Sequence, residues 1–176
     1  SSTFSSTVSV IDFTSIKEDV YDVHFLQAQN FKSATSNNQI VGIQLFESGV
    51  IETGNVYQYA LQRVSTNATS ENKSHGDNIM QVCTTATGGG VGKPENFYCY
   101  FYSLGDSSKY SYQTSQAFGT DAFAGAGTVT NTQFGGGVLP QTSTVDGIRV
   151  TTDTAVDLLD FDIKLYGVKQ WVPYDS

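Results

Sequence analysis

The feature that most constrains the fold is an alternation of apolar and polar side chains with a period of two residues. It is clearest at Val41, Ile43 and Leu45, and it returns in the closing stretch 161–169. Residues two apart lie on the same face of a β-strand, so this alternation predicts strands with one buried face. Since no stretch keeps the apolar spacing of an amphipathic helix over three turns, the chain is predicted to contain almost no helix.

Alternation and turn-forming residues together predict ten strands. They are expected at 8–13, 21–31, 40–46, 56–64, 79–85, 96–104, 110–116, 133–139, 145–151 and 161–169. The polar stretch 65–77 and the small-residue stretch 117–131 are predicted to be extended surface loops. Ten strands in 176 residues predict an all-β fold, an antiparallel two-sheet sandwich of the jelly-roll or Greek-key type, as one domain over 1–176.

Charge and hydropathy exclude two classes of partner. Nine basic and seventeen acidic side chains give a net charge of −8, which argues against nucleic acid and anionic membranes. No run approaches the roughly 20 apolar residues of a membrane span. Charged residues make up 15% of the chain, and neutral polar residues take their place, as is typical of β-rich extracellular or virion proteins.

Two cysteines flank a glycine-rich segment. If 79–85 and 96–104 form a hairpin, Cys83 and Cys99 lie opposite each other, within about 4.5–5.5 Å between Cβ atoms, where a disulfide needs little adjustment. The alternative, two buried free thiols, is preferred because free cysteine is among the most buried residue types. The glycine-rich segment is predicted to be a hairpin loop, because Pro94 follows Lys93 where a phosphate-binding loop needs Ser or Thr.

No catalytic group is predicted. His24 lies among apolar strand residues and is expected to be a hydrogen-bonded structural histidine, while His75 is expected to be solvated. No nucleophile-elbow motif G-x-S-x-G accompanies the serines. The protein is therefore predicted not to be an enzyme, and no cofactor is expected.

Carboxylates form two groups in the sequence. The first is Glu18, Asp19 and Asp22, and the second is Asp153, Asp157, Asp160 and Asp162. Oxygen ligands of this kind can bind calcium, but neither group has the spacing of a calcium loop. A solvated acidic surface is the preferred interpretation, with calcium as the alternative.

The most suggestive binding residues lie in the strand at 96–104. Tyr98, Tyr100 and Tyr102 alternate there with Phe97, Cys99 and Phe101, so the strand carries aromatic side chains on both faces. One face is expected to enter the core. The preferred interpretation is a central strand packed on both sides, with the tyrosine face against a second layer of the fold; the alternative is a binding surface for a neighbouring subunit or a sugar ring.

The closing stretch 161–169, with Leu165, Tyr166 and Gly167 at its centre, resembles an F-x-L-Y-G-x-K-type ending. That ending belongs to a group of small β-sandwich structural proteins of tailed-phage virions. The segments 11–16, 21–25, 41–60 and 147–150 also resemble strands of that group, whereas the middle of the chain departs from it. The resemblance implies a non-enzymatic virion protein, part of a capsid decoration, fibre or tail, assembled in the host cytoplasm.

Such a protein is expected to bind copies of itself and other virion proteins, because exposed edge strands are often covered by neighbouring subunits. A trimer is preferred by analogy with the same group. The alternative is an extracellular module that binds a carbohydrate or a host receptor through Tyr, Asn and Gln side chains. A secreted β-domain associated with a hydrolase is the third hypothesis.

Overall fold

The computed structural model describes residues 2–4, 8–33, 39–84, 95–123, 127–154, 158–159 and 161–169. These residues form fourteen β-strands and no helix. In chain order the strands are β1 (Ser2–Phe4), β2 (Val10–Thr14), β3 (Val23–Ser33), β4 (Ile40–Glu47), β5 (Val50–Ile51), β6 (Tyr57–Ser65), β7 (Thr69–Asp77), β8 (Met80–Thr84), β9 (Glu95–Tyr102), β10 (Ser111–Phe123), β11 (Gly127–Leu139), β12 (Val145–Thr152), β13 (Leu158–Leu159) and β14 (Phe161–Val168).

The strands form two antiparallel sheets. The large sheet has nine strands in the order β1-β14-β3-β9-β10-β11-β6-β7, with β13 paired to β3. The small sheet has five strands in the order β2-β12-β4-β5, with β8 also paired to β4. The chain changes sheet repeatedly, for example from the large to the small sheet between β3 and β4 and back between β5 and β6. The prediction of an all-β, antiparallel two-sheet sandwich is confirmed.

The core lies between the two sheets. Every second side chain of the central strands points into it, as with Phe97, Cys99 and Phe101 of β9, each at most 2% exposed. Ile43 of β4 and Ile148 of β12 supply the opposite layer and are fully buried. Burying one large aliphatic or aromatic side chain contributes about 1.5–3 kcal/mol, so these alternating positions hold the sheets together.

All ten predicted strands are present, but the two predicted loops are wrong in large part. Strand β7 occupies most of 65–77, and β10 and β11 extend through much of 117–131. Strand β7 was missed because both of its faces are open to solvent. Six of its first seven residues are exposed, so its sequence shows no alternation of apolar and polar residues. Backbone pairing with β6 holds it in place instead.

The prediction that 79–85 and 96–104 form a hairpin is also wrong. Strand β8 pairs with β4 in the small sheet, while β9 lies between β3 and β10 in the large sheet. The glycine-rich segment between them, with Lys93 and Pro94, lies outside the described residues. In the part of the chain that is described, no helix has the length and apolar character needed to cross a membrane.

Candidate interaction surface on the large sheet

The outer face of β9 is a row of exposed tyrosines. Tyr98, Tyr100 and Tyr102 are 38%, 36% and 36% exposed, whereas the residues between them are buried. The predicted division of this strand into a core face and a tyrosine face is therefore confirmed. No second layer of the described chain covers the tyrosine face, so a strand packed on both sides is not what the structure shows.

Neighbouring strands add aromatic rings to this row. Antiparallel register places Phe25 of β3 beside Tyr100 and beside Tyr166 of β14. The ring centroids of Phe25 and Tyr100 are 4.8 Å apart, and those of Phe25 and Tyr166 are 6.0 Å apart. Tyr98 and Tyr100 meet edge to face at 6.0 Å. Contacts of this geometry fix the four rings relative to one another.

Two phenylalanines extend the aromatic surface across the sheet. Phe118 of β10 is 54% exposed and Phe134 of β11 is 46% exposed, and both point outward. We use the term aromatic patch for the seven rings of Phe25, Tyr98, Tyr100, Tyr102, Phe118, Phe134 and Tyr166. At about 40% exposure, seven rings that can each bury about 150–250 Å² leave on the order of 500 Å² in solvent. That is near the top of the range for the largest apolar patch of a monomer.

The centre of the outer face carries no charge. The outward residues of β9 and β10 are aromatic, amide or hydroxyl side chains, and charged residues begin on β14 and β7. The Tyr98 hydroxyl donates a hydrogen bond of 2.5 Å to Oε1 of Gln116, and the hydroxyls of Tyr102 and Thr114 lie 3.4 Å apart. Because the polar ends of these tyrosines have partners, their ring faces are left for an apolar contact.

A groove of about 730 Å³ lies beside the aromatic patch, over β10, β11, β6 and β7. Its floor consists of Ala60 and Gly136, which are opposite each other in the register of β6 and β11. Tyr112 and Val138 border the groove, and Lys73 and His75 lie at its far side. The volume falls within the range of about 300–1,000 Å³ that is typical of small-molecule sites.

The two cysteines lie in opposite layers of the sandwich. Neither forms a disulfide, and both are fully buried, Cys83 in the small sheet and Cys99 in the large one. Nε2 of Gln113 donates a hydrogen bond of 3.5 Å to Sγ of Cys99. Burial raises the pKa of Cys99 to about 12, against a smaller lowering by this hydrogen bond. The preferred interpretation of two buried thiols agrees with this placement, and the opposed pair expected from a hairpin does not form.

The histidines lie far from each other in the fold. Nε2 of His24 donates a hydrogen bond of 2.8 Å to the Ile16 carbonyl oxygen, and the side chain is 1% exposed, as expected of a structural histidine. His75 is exposed, as predicted, but it lies in strand β7 rather than in a loop. Neither histidine therefore joins a buried nucleophile in the described part of the chain.

The first carboxylate group borders a polar hollow. Glu18, Asp19 and Asp22 line it together with Asp106 and Lys109. The Lys109 ammonium lies 2.6 Å from a carboxylate oxygen of Asp106, and its hydrogen bond holds the pKa of Asp106 well below the usual range. An ion pair within the hollow therefore balances one of its carboxylates.

In the second carboxylate group, one described side chain accepts a hydrogen bond from the backbone. Asp153 accepts a hydrogen bond of 3.2 Å from the Ile40 amide, while Asp157 and Asp160 lie outside the described residues. Among the residues that are described, no three His, Cys, Asp or Glu side chains converge as metal ligands do.

No protein-family model matches this chain, and neither a curated protein nor a solved structure matches it. The fold and the site therefore define it as an antiparallel two-sheet β-sandwich with an exposed aromatic patch and an adjacent groove.

Sequence reasoning found three of the seven rings. It missed Phe25, Phe118, Phe134 and Tyr166, which lie in other strands and reach the patch through the register of the sheet. A signal was present, since each of these residues takes an outward position in the alternation of its own strand. The groove had no such signal, because it depends on small residues of two strands being opposite each other.

Proposed function

We propose that this chain is a non-enzymatic structural protein of a phage virion, which forms a homo-oligomer through the aromatic patch. The observation that carries the proposal is the patch itself, seven rings on a sheet face that is open to solvent. Tyrosine and phenylalanine are enriched in the cores of protein interfaces, since they bury a large area for little loss of side-chain entropy.

The lack of charge in this face favours a second copy as its partner. Each chain carries a net charge of −8, so two copies repel each other wherever their carboxylates face. The outward residues of β9 and β10 let two copies approach without burying an unpaired charge, which would cost several kcal/mol. When the amide and hydroxyl side chains between the rings are included, the accessible surface of this face approaches the roughly 800 Å² that each partner buries in a standard interface.

The closing strand supports the virion assignment. Strand β14 carries the stretch that resembles the phage structural proteins, and Tyr166 within that stretch belongs to the aromatic patch. The residue that contributes to the resemblance is thus also one that a subunit contact would bury. Three copies that turn this face toward a common axis would give the trimer that the analogy favours.

Sedimentation velocity of the purified chain tests the assembly. We expect a species of three times 19.0 kDa at micromolar concentration, and we expect Tyr100→Lys to weaken association at least tenfold. Tyr110→Lys is the matched control, because Tyr110 is 43% exposed but lies outside the patch. A monomeric wild-type chain would contradict the assembly, and a stable dimer would contradict the threefold arrangement.

The virion assignment has a separate test. An antibody against the folded chain is expected to label intact purified phage particles that package it, in a regular number of copies per particle. Particles that assemble and infect normally after deletion of the chain, and that never contain it, would contradict a virion role.

A further inference from the structure

The groove beside the aromatic patch has the form of a ligand site with an apolar floor. Lys73, Ala60, Gly136 and Thr114 are successive neighbours across β7, β6, β11 and β10. At about 4.8 Å between strands, this row spans roughly 14 Å. The two central residues lack side chains that could fill the space, so the row forms a trough whose ends carry polar groups.

The rim of the groove supplies one aromatic ring and several hydrogen-bonding groups. Tyr112 of β10 is 47% exposed and borders the trough. Gln58 and Thr114 add an amide and a hydroxyl to the lining. A pyranose ring has the complementary form, because its flat C–H face suits an aromatic ring and an apolar floor, while its hydroxyls point sideways toward polar rims.

The groove has basic side chains in its lining although the chain as a whole is acidic. Lys73 and His75 lie in its lining, and none of the lining residues that the structure describes carries a carboxylate. Lys73 pairs with Glu71 at 3.3 Å, but both side chains are more than 60% exposed, and such a surface pair contributes at most about 1 kcal/mol. The ammonium group is therefore able to turn toward a ligand at little cost.

From this arrangement we infer that the groove binds an acidic saccharide, a sugar whose ring lies against Tyr112 and the Ala60–Gly136 floor and whose carboxylate meets Lys73 and His75. A neutral sugar would use the floor and the amide rim but would not draw the Lys73 ammonium away from Glu71. The chain as a whole repels anions, so an anionic ligand is favoured at this position by its local charge.

The inference adds a ligand to the outer face and does not rest on the assembly proposal. The patch and the groove adjoin at β10, where Tyr112 is opposite Tyr102 in the register, whereas Lys73 lies at the far side of the groove, on β7. The Lys73→Gln variant is therefore expected to leave the sedimentation behaviour unchanged. Failure of sugar binding and failure of assembly are separable outcomes.

Isothermal titration calorimetry with three saccharides tests the inference. Sialyllactose and digalacturonic acid carry the carboxylate on different sugars, and lactose is the neutral reference. We expect at least one acidic saccharide to bind at least tenfold more tightly than lactose. The preferred acidic saccharide then identifies the source, a sialylated glycan or a uronic-acid polymer.

Variants locate the binding. Tyr112→Ala is expected to weaken binding of the acidic saccharide at least tenfold, and Lys73→Gln is expected to remove most of its advantage over lactose. The matched controls are Tyr110→Ala, an exposed tyrosine outside the groove, and Lys109→Gln, an exposed lysine that is also in an ion pair. Both controls are expected to bind as the wild type does.

Three results would overturn the inference. They are the absence of binding to either acidic saccharide, equal binding of lactose, and wild-type affinity in both groove variants.

Discussion

At the scale of single residues, Tyr57 shows how one hydroxyl joins the two sheets. The side chain belongs to β6 of the large sheet and is fully buried. Its hydroxyl accepts a hydrogen bond of 2.9 Å from the Leu45 amide of β4, and it donates one of 3.0 Å to the Glu52 carbonyl oxygen. Two backbone groups of the small-sheet region thus depend on one side chain of the large sheet.

We expect Tyr57→Phe to lower the free energy of unfolding by about 1–3 kcal/mol, because it leaves a buried backbone N–H without an acceptor. Urea unfolding followed by fluorescence measures the change. Tyr59→Phe is the matched control, since the Tyr59 hydroxyl donates a longer bond of 3.3 Å to Asp77, which is partly open to water. An equal loss in both variants would contradict a special role for Tyr57.

The same tyrosines give the protein a predicted sensitivity to alkali. Burial, aided by the negative charge of Asp77, raises the pKa of Tyr59 to about 12, and burial raises the pKa of Tyr57 further above its ordinary value of 10.0. Above pH 10 the unfolded chain therefore loses phenolic protons that the folded chain keeps. Since the unfolded state then binds fewer protons, stability falls as pH rises.

The expected result is full tyrosine-linked stability below pH 10 and a progressive loss between pH 10 and 12. Urea midpoints measured at intervals over this range test it. The Tyr57→Phe variant should lose less stability per pH step than the wild type. A flat profile up to pH 12 would contradict the assigned burial.

At the scale of elements, strand β11 illustrates how a sheet can be built around missing side chains. A Cβ atom added at Gly135 would overlap the Ala60 carbonyl oxygen of β6, and one added at Gly136 would lie 2.6 Å from the Gln113 carbonyl oxygen of β10. The backbone of β11 thus approaches both neighbours at distances that only glycine allows. The same close approach leaves the groove floor empty.

We expect Gly135→Ala to destabilise the protein by about 3 kcal/mol or more, because the methyl group would overlap the Ala60 carbonyl oxygen and lie 2.9 Å from Cα of Leu61, and both of these are backbone atoms. Thermal unfolding measures the loss. Gly54→Ala is the control: its Cβ would meet mainly the carboxylate end of Glu52, a flexible side chain, so a change of about 1 kcal/mol or less is expected. Similar melting temperatures for Gly135→Ala and the wild type would contradict this description of β11.

Strands whose apolar and polar residues alternate could be predicted from the sequence. The alternation of Val41, Ile43 and Leu45 locates β4 to within one residue of its observed end, because these three side chains lie in the core; the residues between them are buried as well. Strand β7 escaped prediction since both of its faces are largely exposed and its residues are polar. Backbone pairing, which leaves no trace in side-chain type, holds it in the sheet.

The candidate site could be predicted only in part for a related reason. Alternation shows that Tyr100 points out of the sheet, but it cannot show that Phe25, far away in sequence, lies beside it. That pairing depends on strand order and register, which are set by the packing of the whole sandwich. The groove has the same origin, since Ala60 and Gly136 meet only through the pairing of β6 with β11.

At the scale of the whole molecule, charge and aromatic surface are segregated. The chain carries a net charge of −8, yet the outward residues of the central strands β9 and β10 are uncharged. A face with exposed rings and no charge is a hazard for a free monomer and an advantage for a subunit. The distribution supports a protein that works by contact with other copies, with the groove available for a second kind of partner.

Hydroxyl-radical footprinting of the assembled and the dissociated chain tests most directly whether the aromatic patch is the subunit interface. We predict that Tyr98, Tyr100 and Tyr166 become protected from oxidation on assembly, while Tyr110, which is 43% exposed outside the patch, reacts equally in both states. Equal oxidation of the patch tyrosines in the two states, or protection confined to the small sheet, would contradict the claim that the aromatic patch is the subunit interface.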